Sequence, residues 1–543
     1  MGLNRRNFLM KCGALGLTAS AIPALFYLGN DDKKKNIIFI IVDDLRPQLG
    51  AYRESLQLHG NNLIQTPNID LLAKDGTVFE RAYCSVPVCG ASRLSLLTGS
   101  RPYKLPNQPY GRHWAYYSRL NLEATASHYD FTEPAGLNNP GNSVTMPQHF
   151  KNNGYKTLSI GKVYHNVDDD KEAWDDLVKL PGENWRDIPA FEIGTEEKDD
   201  DYYVDGRTTK YVMDKVVDLK EDNFFYAVGY ARPHLPFNCP KKYWDMYPEE
   251  EIELPPNFTN PVNAPDESIH NFGELRNYTG VEFSDESQNY VTDEYAKQLI
   301  RGYYACTSYV DAQIGRLVDK LKKTYNNKGV SLYDQTTIAL IGDHGWNLAE
   351  HNLWCKHSNY NTSIQSPLII RDPDIKGGKK ANALVEFVDL YPTFSDLAGL
   401  ERPKPTIDND GSVFSLHGTS LVSLMQNPDQ EWKKAVFSRY HYGDTIRTDR
   451  YTYSEFVNQS DSVLNVMLFD HVKDPHENYN IADINPELVN ALSELLGNGA
   501  IAKRNAWRKF VDTSEKNKPV LKDLNLPKAT YPAKNYPGNG QVR

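Results

Sequence analysis

Asn36-Ile37-Ile38-Phe39-Ile40-Ile41-Val42-Asp43-Asp44 is the stretch on which the fold turns. Six apolar residues in a row leave an extended segment apolar on both faces, the pattern of a strand covered from both sides in a mainly parallel sheet. Similar runs recur at Phe224-Phe225-Tyr226-Ala227-Val228, Thr337-Ile338-Ala339-Leu340-Ile341 and Pro367-Leu368-Ile369-Ile370. Amphipathic segments lie between them; Tyr304 to Leu321 carries Tyr304, Val310, Ile314, Leu317 and Leu321 at near-helical spacing. Strands alternating with helices predict an α/β fold, a large mainly parallel mixed sheet flanked by helices. In such a sheet the functional residues gather beyond the C-terminal strand ends, and Asp43-Asp44 stand at one.

Working outward, the composition changes near Met425-Gln426-Asn427-Pro428. Ala435 to Ser438, Arg447 to Tyr453 and Leu468 to Asp470 read as short antiparallel strands ahead of a helix at Pro486 to Leu496. The expected division is a main domain over 36–428 and a smaller C-terminal α+β subdomain over 429–543. The tail after Asn517, with prolines at 519, 527, 532 and 537, reads as an extended segment. At the other end, Asn4-Arg5-Arg6-Asn7-Phe8-Leu9-Met10-Lys11 precedes an apolar stretch from Cys12 to Leu28. Residues 1–30 thus look like a twin-arginine export signal, with Ala19-Ser20-Ala21 as cleavage site. That predicts an exported, periplasmic protein with the export machinery as a partner, or a membrane-tethered one if the segment is retained. Outside the signal five cysteines remain, an odd and sparse set that argues against a disulfide framework. A net charge of −11 excludes nucleic acid as the main partner.

The chemistry-bearing residues follow the strands. Asp43-Asp44 ends the first and Asp343-His344 follows another; together they form a set able to enclose a hard divalent cation, with oxygen-rich ligation favouring calcium over zinc. Cys89-Gly90-Ala91-Ser92-Arg93-Leu94-Ser95-Leu96-Leu97-Thr98-Gly99 reads as a helix with a cysteine at its N-terminus, an arginine one turn on and a glycine stop. Free N–H groups and the macrodipole at such an end favour an anion, and Arg93 adds a fork of donors suited to a tetrahedral oxyanion. Lys162 and His165 lie three apart, His234 sits between Pro233 and Pro236, and Lys356 shares a loop system with Asp343. Taken singly, each lysine reads as solvated and each histidine as satisfied.

In register, these segments resemble the type I sulfatases, whose signature C-x-P-S-R precedes a helix ending in T-G. The match covers Cys89, Ser92, Arg93, Leu97, Thr98 and Gly99; Ala91 stands where the better-known pattern has proline. The resemblance implies an alkaline-phosphatase-like fold. It also implies conversion of Cys89 to formylglycine by a maturase, with alanine at 91 associated with the radical type. It further implies that Asp43, Asp44, Asp343 and His344 hold Ca2+ beside residue 89. His344 followed by Gly345-Trp346 is similar to the iduronate-2-sulfatase branch. The implied activity is hydrolysis of sulfate esters in a sulfated saccharide. Formylglycine 89 would be nucleophile and metal ligand, Asp343 its proton acceptor, and Arg93, Lys162 and Lys356 the groups stabilising sulfate. His234 would be the acid for the sugar oxygen and His165 the base that expels sulfate. Trp346 and Trp354 would line the leaving-group side, with the core an equal place for Trp354. A polyanion is repelled at long range by a chain of this charge, so short oligosaccharides or chain ends are expected. Two other readings share parts of the pattern: a phosphomonoesterase or phosphodiesterase of the same superfold, and a non-catalytic sulfated-glycan binder if Cys89 stays unmodified.

Overall fold

The computed structural model describes residues 34–56, 64–101, 144–165, 170–182, 186–284, 289–404, 406–407, 413–414, 416–440, 443–457, 462–496 and 526–531. Residues 1–30, expected as an export signal, and most of the proline-rich tail lie outside them. The described residues from Lys35 onward belong to one compact unit.

Its centre is an eight-stranded sheet: β1 (Asn36–Val42), β2 (Thr77–Tyr83), β3 (Lys156–Gly161), β4 (Asp176–Val178), β5 (Phe224–Tyr230), β6 (Thr336–Gly342), β7 (Leu368–Arg371) and β8 (Lys379–Glu386). The strand order is β8-β2-β7-β6-β1-β5-β3-β4. β1 lies between β5 and β6, parallel to both, and is buried along its whole length. Its alternate residues enter different cores: Ile38, Ile40 and Val42 one, Ile37, Phe39 and Ile41 the other. That two-sided burial is why the run shows no polar alternation.

The run at Leu368 is a strand, but β7 lies antiparallel to both neighbours, β6 and β2. A parallel neighbour needs a crossover to the far end of the sheet. The 343–367 connection holds no helix longer than Asn361–Ile364, so β7 returns from the end at which β6 stopped. That connection therefore stays at the C-terminal end of the sheet.

Helices cover both faces. The longer ones among the described residues are α1 (Pro67–Asp75), α2 (Cys89–Thr98), α3 (Met146–Asn152), α4 (Val204–Asp218), α5 (Asp293–Lys323) and α6 (Leu390–Leu397). α5 contains the expected Tyr304–Leu321 segment. Thr292 caps it by accepting from the Tyr295 N–H, with Asp293 and Glu294 in the first turn and Lys320, Lys322 and Lys323 in the last. A second, antiparallel sheet follows: β9 (Ala435–Tyr440), β10 (Gly443–Thr448), β11 (Tyr451–Val457) and β12 (Val463–Asp470), packed against α7 (Pro486–Leu496). Arg447 to Tyr453, expected as one strand, is the hairpin corner between β10 and β11. Among the described residues no helix is long and apolar enough to cross a membrane.

Candidate functional site

Four strand ends and one helix N-terminus meet at the C-terminal end of the large sheet. Asp43 and Asp44 leave β1. Asp44 takes a left-handed backbone (φ 61°), a conformation aspartate tolerates better than most residues. The turn is pinned on both sides: Tyr303 on α5 donates its hydroxyl to Asp44 O (2.7 Å) and accepts from Arg46 N (2.9 Å). The Asp44 N–H donates to Asp343 Oδ1 (3.0 Å), joining the ends of β1 and β6.

α2 is closed by Gly99 in the left-handed conformation (φ 67°), with Gly99 N bonded to Leu96 O and Ser100 N to Ser95 O. Its first turn presents Cys89 to the cluster: Sγ lies 3.3 Å from His344 Nε2 and 3.8 Å from Asp44 Oδ1. One turn on, Arg93 is fully buried. Its Nε donates to Asp343 Oδ2 and its Nη2 to Asp43 Oδ1, both at 2.9 Å. Its Nη1 reaches the carbonyls of Lys162 and Val163. With four of its N–H groups on protein acceptors, no exposed surface and no place in the cavity lining, Arg93 organises carboxylates from beneath the floor and does not face the cavity as expected.

Lys162 follows β3 and reaches Asp43 Oδ2 with its ammonium group. The approach depends on two glycines: Gly161 has φ 72°, and a Cβ there would stand 2.0 Å from Gly229 O. A Cβ on Gly229 would meet the Lys162 backbone at 2.1 Å. Lys356 comes from the β6–β7 connection, where Cys355 and His357 on either side of it both have positive φ (68° and 69°). Such strained backbone persists only where surrounding structure holds it. Asn359 anchors this loop to the second sheet, donating to Gly443 O (3.1 Å) and Thr445 Oγ1 (2.9 Å). Lys356 Nζ donates to Asp44 Oδ1 (3.0 Å) and to Glu274 Oε1 (2.8 Å). His234 follows β5 between two cis X–Pro bonds, and its Nε2 lies 3.1 Å from the same Glu274 oxygen.

A cavity of about 750 Å³ opens above this floor, lined among others by Cys89, Lys162, His165, His234, Glu274 and Lys356. His165 stands at its exposed rim. Trp346, expected on the cavity wall, is fully buried; its ring backs Lys356 Nζ at 5.0 Å and stacks on Tyr303. Trp354 is buried in the core as well. Glu274 belongs to no motif. It sits in Asn271-Phe272-Gly273-Glu274-Leu275, remote in sequence from every other site residue, and no local pattern marks it.

The electrostatics separate the two adjacent carboxylates. Burial opposes ionisation of both, but Lys162 and Arg93 outweigh it at Asp43 and hold that carboxyl well below the ordinary range. At Asp44 burial prevails over Lys356, with Cys89 and Asp43 adding to it, and the carboxyl is driven well above the ordinary range. Burial, with Asp43 adding, pushes the Cys89 thiol up to about 12. Desolvation in the cavity rim, then Lys162, pulls His165 down to about 4.

The donor set fits a hard cation. Asp43, Asp44, Cys89 and His234 bring ligand atoms within 4.8 Å of one another, and so do Cys89, Asp343 and His344. His344 Nδ1 lies 2.9 Å from Gly345 O, an acceptor only, so in a neutral ring Nδ1 carries the hydrogen. Its Nε2 lone pair then faces Asp44 Oδ1 (3.4 Å) and Asp343 Oδ2 (3.6 Å), an arrangement a cation satisfies.

This sheet, with acids and bases gathered at its C-terminal end, has the alkaline-phosphatase-like fold. Residues 35–400 match the Sulfatase family model and 349–498 match N-sulphoglucosamine sulphohydrolase, C-terminal. The chain belongs to the sulfatase family and is a sulfuric ester hydrolase. It is 30% identical to human (Homo sapiens) iduronate 2-sulfatase over 417 residues, covering 68% of this chain and 70% of that one. The solved structure of BT4656 in complex with its substrate D-glucosamine-2-N,6-O-disulfate superposes with TM-score 0.56 at 22% identity, over 86% of this chain and 99% of that one. Phosphonate monoester hydrolase from Silicibacter pomeroyi shares the fold with TM-score 0.63 at 21% identity, over 88% and 96%.

Proposed function

We propose that this enzyme removes sulfate from a sulfated saccharide, of the kind its iduronate 2-sulfatase relatives act on, using formylglycine made from Cys89 and a calcium ion. The observation that carries the reading is the placement of Cys89. It opens α2 at the cavity floor, with Sγ 3.8 Å from Asp44 Oδ1 and 3.3 Å from His344 Nε2. Formylglycine, as its hydrate, supplies a hydroxyl at that position. Asp43, Asp44, Asp343 and His344 would hold calcium, which offsets the surplus carboxylate charge and polarises sulfate oxygens.

The remaining work falls to side chains around the cavity. Lys162 and Lys356 neutralise the equatorial oxygens of the sulfate. Arg93 bridges Asp43 and Asp343 and helps hold Asp43 ionised. Asp343 takes the proton of the attacking hydroxyl. His234, on the cavity side of Lys356, protonates the departing sugar oxygen, and His165, neutral at pH 7, takes the second hydroxyl's proton. Further out, Lys179 and Arg186 line the cavity exposed and, among the described residues, without an ion pair or hydrogen bond. They offer local positive charge to a polyanionic saccharide in a chain of net charge −11. The twin-arginine pattern supports export to the periplasm, and the Cys89-Gly90-Ala91-Ser92-Arg93 segment a radical-type maturase as partner.

The test is hydrolysis of defined sulfated mono- and disaccharides against matched phosphomonoesters and phosphonate monoesters. Sulfate release should dominate. His234→Ala should lose about 100-fold or more on a sugar sulfate but far less on an activated aryl sulfate, whose leaving oxygen needs no proton. Preferential phosphate release, with two zinc ions bound per chain, would replace this reading by phosphoester hydrolysis. Tight sulfated-glycan binding without turnover by enzyme from its source cells would replace it by a binding role.

A further inference from the structure

Glu274 is a half-buried acid lining the cavity, and the mechanism above gives it no task. Its Oε1 accepts from Lys356 Nζ (2.8 Å) and lies 3.1 Å from His234 Nε2, so one oxygen ties together the group that meets sulfate and the group that meets the sugar oxygen. Its Oε2 has His357 Nδ1 at 3.6 Å.

The turn that carries Glu274 is built to stay in place. Phe272 and Leu275 on either side of it are buried in the main core, and Arg276 stacks over the rings of Phe272 and Phe283 at 4.7 and 4.6 Å. Asn277 N and Tyr278 N close the turn on Glu274 O and Leu275 O (both 3.1 Å), and Thr279 N bonds to Ile188 O (2.9 Å). A carboxylate held this way is a fixed reference point for longer, softer side chains.

We infer that Glu274 is a positioning residue for desulfation: it holds Lys356 and the His234 ring in mutual register. The need for it follows from Asp44, the other carboxylate on Lys356. Asp44 cannot serve a cation and Lys356 equally well, so when it turns to the metal Lys356 keeps one anionic anchor, Glu274. The same anchor fixes the plane of the His234 ring, which lines the cavity. This rests on His234 being the acid, as proposed above.

The experiment measures kcat and KM of Glu274→Gln, which preserves volume and removes the charge, with a sugar sulfate and with an activated aryl sulfate, beside His234→Ala. The expected result is a kcat on the sugar sulfate lower by about 10–100-fold, part of the ~10²–10⁴-fold that a general acid supplies, a several-fold smaller loss on the aryl sulfate, and KM within about twofold on both. Equal losses on the two substrates, or a gain in kcat/KM, overturn the positioning role while leaving-group dependence in His234→Ala still upholds the proposed function. Absence of that dependence in both variants overturns the acid assignment and this inference with it.

Discussion

Two carboxylates one residue apart end β1, and the chain supplies cations to them unequally: Arg93 and Lys162 reach Asp43, whereas Asp44 has a lysine it shares with Glu274. Burial drives the Asp44 carboxyl up, its one lysine does not offset that, and a bound cation would relieve it. Chelation should therefore abolish desulfation, and calcium should restore it. Calcium should also raise the thermal midpoint of the chelated protein, a response that Asp44→Asn loses together with more activity than the ~10–100-fold an outer partner of a metal site costs. An unchanged calcium shift in Asp44→Asn would remove Asp44 from the ligand set. At this scale the sequence was informative where chemistry is written in neighbouring letters: Asp43-Asp44, Cys89 to Arg93, and Asp343-His344 all meet at one floor. It was silent on Glu274, whose neighbours are remote in the chain. It misled on Arg93 and Trp346, because residue type names a capacity for contact while packing decides which side of the floor a side chain occupies.

Between β3 and β5 the constraint is one of backbone approach. Gly161 and Gly229 let two strand ends close until Lys162 can reach Asp43. In Gly161→Ala the Cβ meets Gly229 O in a backbone region that alanine avoids, which should cost about 1–3 kcal/mol of stability and move Lys162 off the cluster. The loss of kcat/KM should persist at temperatures where the variant remains fully folded; full activity there would show that strand approach does not set the lysine. The strands themselves were readable because two-sided burial writes an unbroken apolar run. The reversed direction of β7 was not, because direction depends on whether a connection crosses the sheet, and an apolar run carries no arrow. The β10–β11 corner escaped for a related reason: Arg447 to Tyr453 continues in strand-like residues through a two-residue turn at Asp449-Arg450.

Across the whole molecule, burial of neutral imidazoles makes stability depend on pH. His149 and His351 are both buried and both held below their ordinary value by desolvation. His351 Nε2 lies 2.7 Å from His476 O, and its Nδ1 has no partner among the described residues. A depressed histidine contributes its full stability above the unfolded value near ~6.5 and loses it as pH falls, because the unfolded chain takes up the proton first. Denaturant midpoints should fall from pH 7.5 to 5.5, and His351→Gln should show a shallower slope even if it is less stable throughout. An identical slope would mean that His351 titrates alike in both states. At the same scale, replacing Lys179 and Arg186 together by alanine should raise KM for sulfated oligosaccharides about tenfold, the worth of two exposed ion pairs, and leave an uncharged aryl group's sulfate ester nearly unaffected. Equal effects on both would deny the outer wall a part in recognising the saccharide.

The most direct test of the account is the chemical identity of residue 89. Mass spectrometry of the tryptic peptide Ala82–Arg93 from protein made in its source cells, after thiol alkylation, separates Cys84 from residue 89 by fragmentation. The account predicts an aldehyde mass and no alkyl group at 89, with Cys84 alkylated. An intact, alkylated cysteine at 89 in enzyme that releases sulfate would contradict it.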